Sequence, residues 1–212
     1  PTPHTPHSCL AISFLLLWLP SSDTVTDPLF RTDALAGADR IAALLSWKLR
    51  ALEQAVAHGL GLECASLNEV IHSIENGRCA PERVIFDSPC KSRTDLRYCL
   101  KAGVHINCDS MEELARVVEL RSEGGETSRS RVGVRINPLL GSGAIAMFSV
   151  SGQESKFAIP LNPDNRSAIV AAFVAHPWLC CVHVHVGSQG CPLSMLADGA
   201  SVATQLADFP YE

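Results

Sequence analysis

Lysine is scarce in this chain. Only Lys48, Lys91, Lys101 and Lys156 occur in 212 residues, and neither they nor the arginines form a run. With a formal net charge of -5 and a pI of about 5.9, nothing draws the chain as a whole to phosphate backbones, so no nucleic-acid partner is expected. Long apolar stretches are missing too. The run CLAISFLLLWLP at 9–20 falls short of the roughly 20 residues that a bilayer-spanning helix needs, and no membrane association is expected. No Lys or Arg precedes that run, so the basic start of a targeting signal is absent although an apolar centre is present. Residues 1–38 are therefore expected to form an irregular leader, with a targeting segment as the alternative. Cys-x-x-Cys, the spacing that structural zinc sites favour, is absent as well. The nine cysteines are scattered and odd in number, which points to free, mostly buried thiols in a reducing, cytoplasmic setting.

What is present is the composition of a domain with a sizeable core, 47% hydrophobic and 18% charged. From residue 39 onward helix and strand signals alternate, the mark of a parallel α/β domain. A helix is expected over 39–58, closed by Gly59. Apolar or β-branched strands are expected at 62–65, 83–86, 104–108, 131–137 and 180–186. Between them fall helices at 67–76, from the cap Ser92 to Gly103, at 111–121 behind a Ser110/Glu113 capping box, at 163–176 and at 193–207. The first three strands start about 21 residues apart, close to the shortest right-handed βα unit, so they are expected to be adjacent and parallel. Five strands do not close an eight-stranded barrel, which takes about 250 residues. The Gly/Ser-bearing segment 137–160 interrupts the rhythm at a strand's carboxyl end, where such folds build their sites.

The carboxyl ends of the expected strands hold Glu63 and Ser66; Pro89, Cys90 and Lys91; Asp109; Arg135 and Asn137; and His183, His185 and Ser188. His183 and His185, one residue apart on a strand, project to the same side. Three readings are open for them: metal ligands, a hydrogen-bonded core pair, or a platform for a cofactor. Gly187, Ser188 and Gln189 follow at once, small and polar residues suited to the close approach of a phosphate.

Six segments stand in a familiar order: GLECASLNE at 61–69, FDSPCK at 86–91, INCDSMEEL at 106–114, VGVRINP at 132–138, SKFAIP at 155–160 and HVHVGSQ at 183–189. Together they resemble the alanine-racemase-type barrel of the pyridoxal-phosphate (PLP) dependent decarboxylases that act on ornithine, diaminopimelate and arginine-like substrates. The resemblance implies a partial (β/α)8 TIM-type barrel over 39–212, a PLP cofactor, an amino-acid substrate and, in the family, a homodimer. It implies that His185 stacks on the pyridine ring, that Ser188 hydrogen-bonds the phosphate, that Arg135 lines the floor near the ring, and that Glu63 and Glu69 brace the site from the second-strand segment. Two positions depart from the family pattern: Glu63 replaces a common aspartate, and Ala158 a usual glycine.

In the family a lysine that anchors PLP ends the first barrel strand, roughly nineteen residues before the position of Glu63. That lands near Leu44, and the closest lysine, Lys48, has a helical context. The resemblance thus assigns no catalytic residue and no metal ligand. The chain is expected to be a fragment or degenerate member of these decarboxylases, inactive by itself. The alternatives are a catalytically dead regulatory homologue, or a metal-dependent barrel hydrolase using His183 and His185.

Overall fold

The computed structural model describes residues 9–12, 49–123, 128–140, 155–186 and 192–208. In chain order these form β1 (Cys9–Ile12), a helix α1 over 49–57, β2 (Leu62–Cys64), α2 (Leu67–Glu75), a short 3-10 turn (Pro81–Arg83), β3 (Val84–Phe86), α3 (Arg93–Ala102), β4 (His105–Cys108), α4 (Met111–Glu123), β5 (Val132–Asn137), β6 (Ile159–Pro160), α5 (Pro163–Ala175), β7 (Leu179–Val184) and α6 (Leu193–Asp208). Among the described residues no helix is long and apolar enough to cross a membrane.

Local chemistry sets the helix ends. The Ser66 hydroxyl caps α2 by accepting from the Glu69 N–H. Ser92 and Asp95 satisfy each other's backbone donors at the start of α3, which ends at Gly103 with φ 86°, a left-handed stop that glycine adopts without strain. The box expected at α4 forms only by half. Ser110 accepts from the Glu113 N–H at 3.1 Å, but the Glu113 carboxylate turns away to the Lys91 ammonium at 2.8 Å and the Asp109 N–H at 2.9 Å. A buried ammonium requires a counter-charge more than the first turn of α4 requires a second cap.

All strand pairs are parallel, in the order β1-β7-β5-β4-β3-β2, with β6 pairing β5. The expected adjacency of β2, β3 and β4 holds. Register and the two-residue period then divide the sheet into two unlike faces. One carries Leu62, Cys64, Val84, Phe86, Ile106, Val132, Val134, Ile136, Val182 and Val184, and joins Val70, Leu96, Leu114, Val117 and Ile169 of the helices in the core. The opposite face carries Glu63, His105, Asn107, Gly133, Arg135 and His183, the last five all buried or, for Gly133, enclosed.

Two strands differ from the sequence expectation. Cys9–Ile12, within the supposed leader, pairs with Cys181–Val184 as an edge strand. The remainder of 1–38, and 39–48 of the first expected helix, lie outside the described residues. Ile159–Pro160 forms β6, whose two residues are too few to show a strand period.

Candidate functional site

The sheet curls, and the curl creates the site. β2 and β7 are separated in the sheet by β3, β4 and β5, a flat spacing of roughly 19 Å at about 4.8 Å per strand. Yet ligand atoms of Glu63 on β2 and of His183 and His185 at β7 lie within 4.8 Å of one another. The polar face is therefore the concave inner wall of an incomplete barrel.

Arg135 of β5 sits on that wall. Its Nη1 donates to Asp87 Oδ2 at 3.0 Å and lies 3.8 Å from Asp109 Oδ1, while its guanidinium stands 5.3 Å from the Phe157 ring centroid. Asp87 also faces His183 Nε2 at 3.4 Å. Asp109 accepts from the Ala158 N–H at 3.0 Å, so the segment after 154 is tied to the end of β4. Ala158 takes φ 67°, in the left-handed region, which explains on steric grounds why glycine suits this position. Gly133 allows the wall to close, since a Cβ there would stand 2.8 Å from Cys181 Cβ and 2.9 Å from Asn107 Oδ1.

The wall favours neutral imidazoles. Burial pushes His183 down to about 4, with Arg135 adding to the shift against the opposing pull of Asp87. Burial likewise lowers His185, and then Arg135 does so further. His105, beneath them, is brought to about 4 by burial and by Arg131. Asp109 is raised, chiefly by burial, against the Ala158 N–H and Arg135. Among the described residues, several buried atoms here have no hydrogen-bond partner: Asp87 Oδ1, Asp109 Oδ1, both ring nitrogens of His183, and the amide oxygen and nitrogen of Asn107.

Of the residues singled out in the sequence, Glu63, His183 and His185 come together, with Arg135 alongside. Glu69 does not join them. It is exposed on α2, where its carboxylate accepts from the Ala65 N–H at 2.6 Å, a helix-end task. Ser188 and Gln189 lie outside the described residues. Asp87, His105 and Asn107 escaped the sequence reading. Asp87 follows the last residue of β3 directly, and His105 and Asn107 alternate with apolar Ile106, so reading each strand's second face would have found them.

The lysines fall elsewhere. Lys91 Nζ spends its three donors on Ser88 O and Asn107 O, each at 2.7 Å, and on Glu113 Oε2 at 2.8 Å, fully buried. Lys101 is exposed near the end of α3. Lys156 is exposed with its Nζ 5.2 Å from the Phe157 ring centroid, and Lys48 lies outside the described residues.

Comparison with known proteins places the chain in a family. The chain is 29% identical over 180 residues to the diaminopimelate decarboxylase of Pseudomonas aeruginosa, covering 83% of this chain and 43% of that protein. It is 30% identical over 160 residues to the L-glutamyl-[BtrI acyl-carrier protein] decarboxylase of Niallia circulans, covering 73% and 35%. The chain thus spans less than half the length of these curated relatives. The crystal structure of Helicobacter pylori diaminopimelate decarboxylase complexed with L-lysine shares the fold with a TM-score of 0.64 at 23% identity, over 76% of this chain and 42% of that one. The arginine decarboxylase of Paramecium bursaria Chlorella virus bound to agmatine gives a TM-score of 0.54 at 17% identity, over 74% and 39%. Residues 46–210 match the family model described as the pyridoxal-dependent decarboxylase, pyridoxal binding domain. The chain belongs to the pyridoxal-dependent decarboxylases, and what it carries of them is the partial TIM-type barrel that binds pyridoxal phosphate.

Proposed function

We propose that the concave wall of this chain seats PLP without a covalent anchor, as part of the machinery for decarboxylating an amino acid of the diaminopimelate or arginine type. The observation that carries the reading is the set of partnerless buried polar atoms on that wall, bordered by the half-buried ring of His185 and the clamped cation of Arg135. Such a surface fits a flat, polar heteroaromatic group better than an apolar ligand, because each orphaned donor or acceptor costs about 1–3 kcal/mol until it is satisfied.

When bound, the cofactor supplies an electron sink for the pair left behind as a carboxylate departs as carbon dioxide. His185 offers a flat face against which a planar ring is held. Arg135, fixed by Asp87 and by the face of Phe157, keeps a positive charge at the floor without reorganising. Glu63 faces the same space from across the curl. Ser188 is assigned to the phosphate by its place in the HVHVGSQ segment. Glu69 acts at a distance, by closing the start of α2 behind Glu63.

The reading without a covalent anchor, and with it the lack of turnover expected of this chain, rests on the lysines among the described residues: Lys91 is saturated by three acceptors, and Lys101 and Lys156 are exposed, while Lys48 lies outside them. The test is to titrate PLP into the full chain while following cofactor absorbance, then reduce with borohydride and map adducts by mass spectrometry. Saturable binding with no adduct at Lys48, Lys91, Lys101 or Lys156, and no carbon dioxide release from diaminopimelate, arginine or ornithine, is expected. A stoichiometric lysine adduct or measurable release refutes the non-covalent reading; absence of saturable binding refutes the seat itself.

A further inference from the structure

We propose that Glu63, His183 and His185 form a binding site for a divalent transition-metal ion of the zinc class, in the same seat as the cofactor ring, so that ion and cofactor exclude one another. The metal site stands on its own geometry, whereas the exclusion rests on the cofactor reading above.

The donor set is two imidazoles and one carboxylate, a combination that borderline divalent ions take while leaving a coordination position open. Its three ligand atoms lie within 4.8 Å of one another. Tetrahedral bonds of about 2.0–2.1 Å place neighbouring donors roughly 3.3 Å apart, so closure draws the donors together by up to about 1.5 Å. His183 lies on β7 and His185 directly follows that strand, and the third donor comes from across the curled sheet.

His183 points to a ligand as well. Its side chain is 0% exposed, and among the described residues neither ring nitrogen has a hydrogen-bond partner. A buried imidazole that makes no hydrogen bond is costly, and a metal bond removes that cost. Asp87 Oδ2, 3.4 Å from Nε2, is the kind of carboxylate that braces a ligating imidazole and sets its tautomer. Arg135 lies 3.0 Å from Asp87 and 3.8 Å from Asp109, so those two carboxylates are engaged with it, and Glu63 is the carboxylate of the donor set. A zinc-class ion held by three protein donors keeps a fourth position for a water or a substrate oxygen.

The test uses the full chain and Co(II) as the spectroscopic probe. Saturable one-to-one binding with visible d–d absorption, no thiolate-to-cobalt charge-transfer band, and displacement by zinc are expected. Glu63→Gln, which keeps size and strand position, and His185→Phe are expected to weaken binding roughly tenfold or more, with unchanged far-UV circular dichroism as the folding check. Zinc should block PLP loading in the parent chain. A charge-transfer band, or cobalt affinity unchanged in both variants, overturns the metal site whatever PLP does. If cobalt binds as expected and PLP never does, only the exclusion and the cofactor reading fall.

Discussion

The buried pair Lys91–Glu113 offers a direct measure of what holds the site's carboxylates in place. Their side chains are 0% and 2% exposed, and the ammonium serves Ser88 O and Asn107 O as well as the Glu113 carboxylate. Lys91→Met keeps the stem's volume, removes the charge, strands two carbonyls and leaves a buried carboxylate with Asp109 N–H at 2.9 Å and Arg116 at 3.8 Å as its remaining partners. Breaking a buried pair from one side costs about 3–5 kcal/mol, and the remaining Asp109 contact places this case near the middle, at about 4 kcal/mol. A domain's whole stability is about 5–15 kcal/mol, so the variant sits close to unfolding. Lys91→Met with Glu113→Gln removes the uncompensated charge while the amide oxygen still accepts from Asp109 N–H, and recovers at least half of the loss. Urea unfolding followed by circular dichroism, with all four members of the cycle, gives the coupling. A single variant that loses less than about 1 kcal/mol, or a double variant less stable than the single, refutes the reasoning.

Three further outcomes follow from the same wall. Ala158→Gly relieves a left-handed residue at φ 67°; strain of about 1–2 kcal/mol set against about 0.4–1 kcal/mol of unfolded-chain entropy gives a gain of roughly 0.5 kcal/mol in unfolding free energy, read by urea unfolding, and a loss contradicts it. Gly133→Ala drives a methyl group to 2.8 Å from Cys181 Cβ and 2.9 Å from Asn107 Oδ1, and is expected to cost about 1–3 kcal/mol by thermal or urea unfolding. His105, ordinarily at 6.5, is depressed to about 4 in the fold, so the unfolded chain takes up its proton first. Stability is present above about 6.5, falls as pH drops toward 4 and levels off below, by up to about 3 kcal/mol for this group. His105→Gln should flatten that acid slope; an unchanged slope assigns the loss to other groups.

The parallel α/β order was legible in the sequence because its signals are local. The cap Ser92, the stop at Gly103 and the 21-residue spacing of the first strands act within one βα unit. The six ordered segments made the family legible as well, and they singled out Glu63 and His185, which the curled sheet brings together. Other features were not, because they depend on residues far apart in the chain. Glu113 looked like a capping acid until Lys91, 22 positions away, claimed its carboxylate. Asp87 shows its role only when Arg135 and His183, from two other strands, are beside it. Cys9–Ile12 reads as leader because an edge strand is defined by its partner, β7, and not by its own four residues.

By itself, then, the sequence determined which residues alternate: on one parity the strands are apolar, and on the other Glu63, His105, Asn107, Arg135 and His183 stand with Ile85 and Cys181. Which parity faces inward, and that Glu63 meets His183 and His185 within 4.8 Å, was decided by the tertiary structure alone. The physical reason is curvature. Period and propensity act along a strand, whereas bringing β2 to β7 depends on the accumulated twist of the strands between them, to which every pair contributes and none determines.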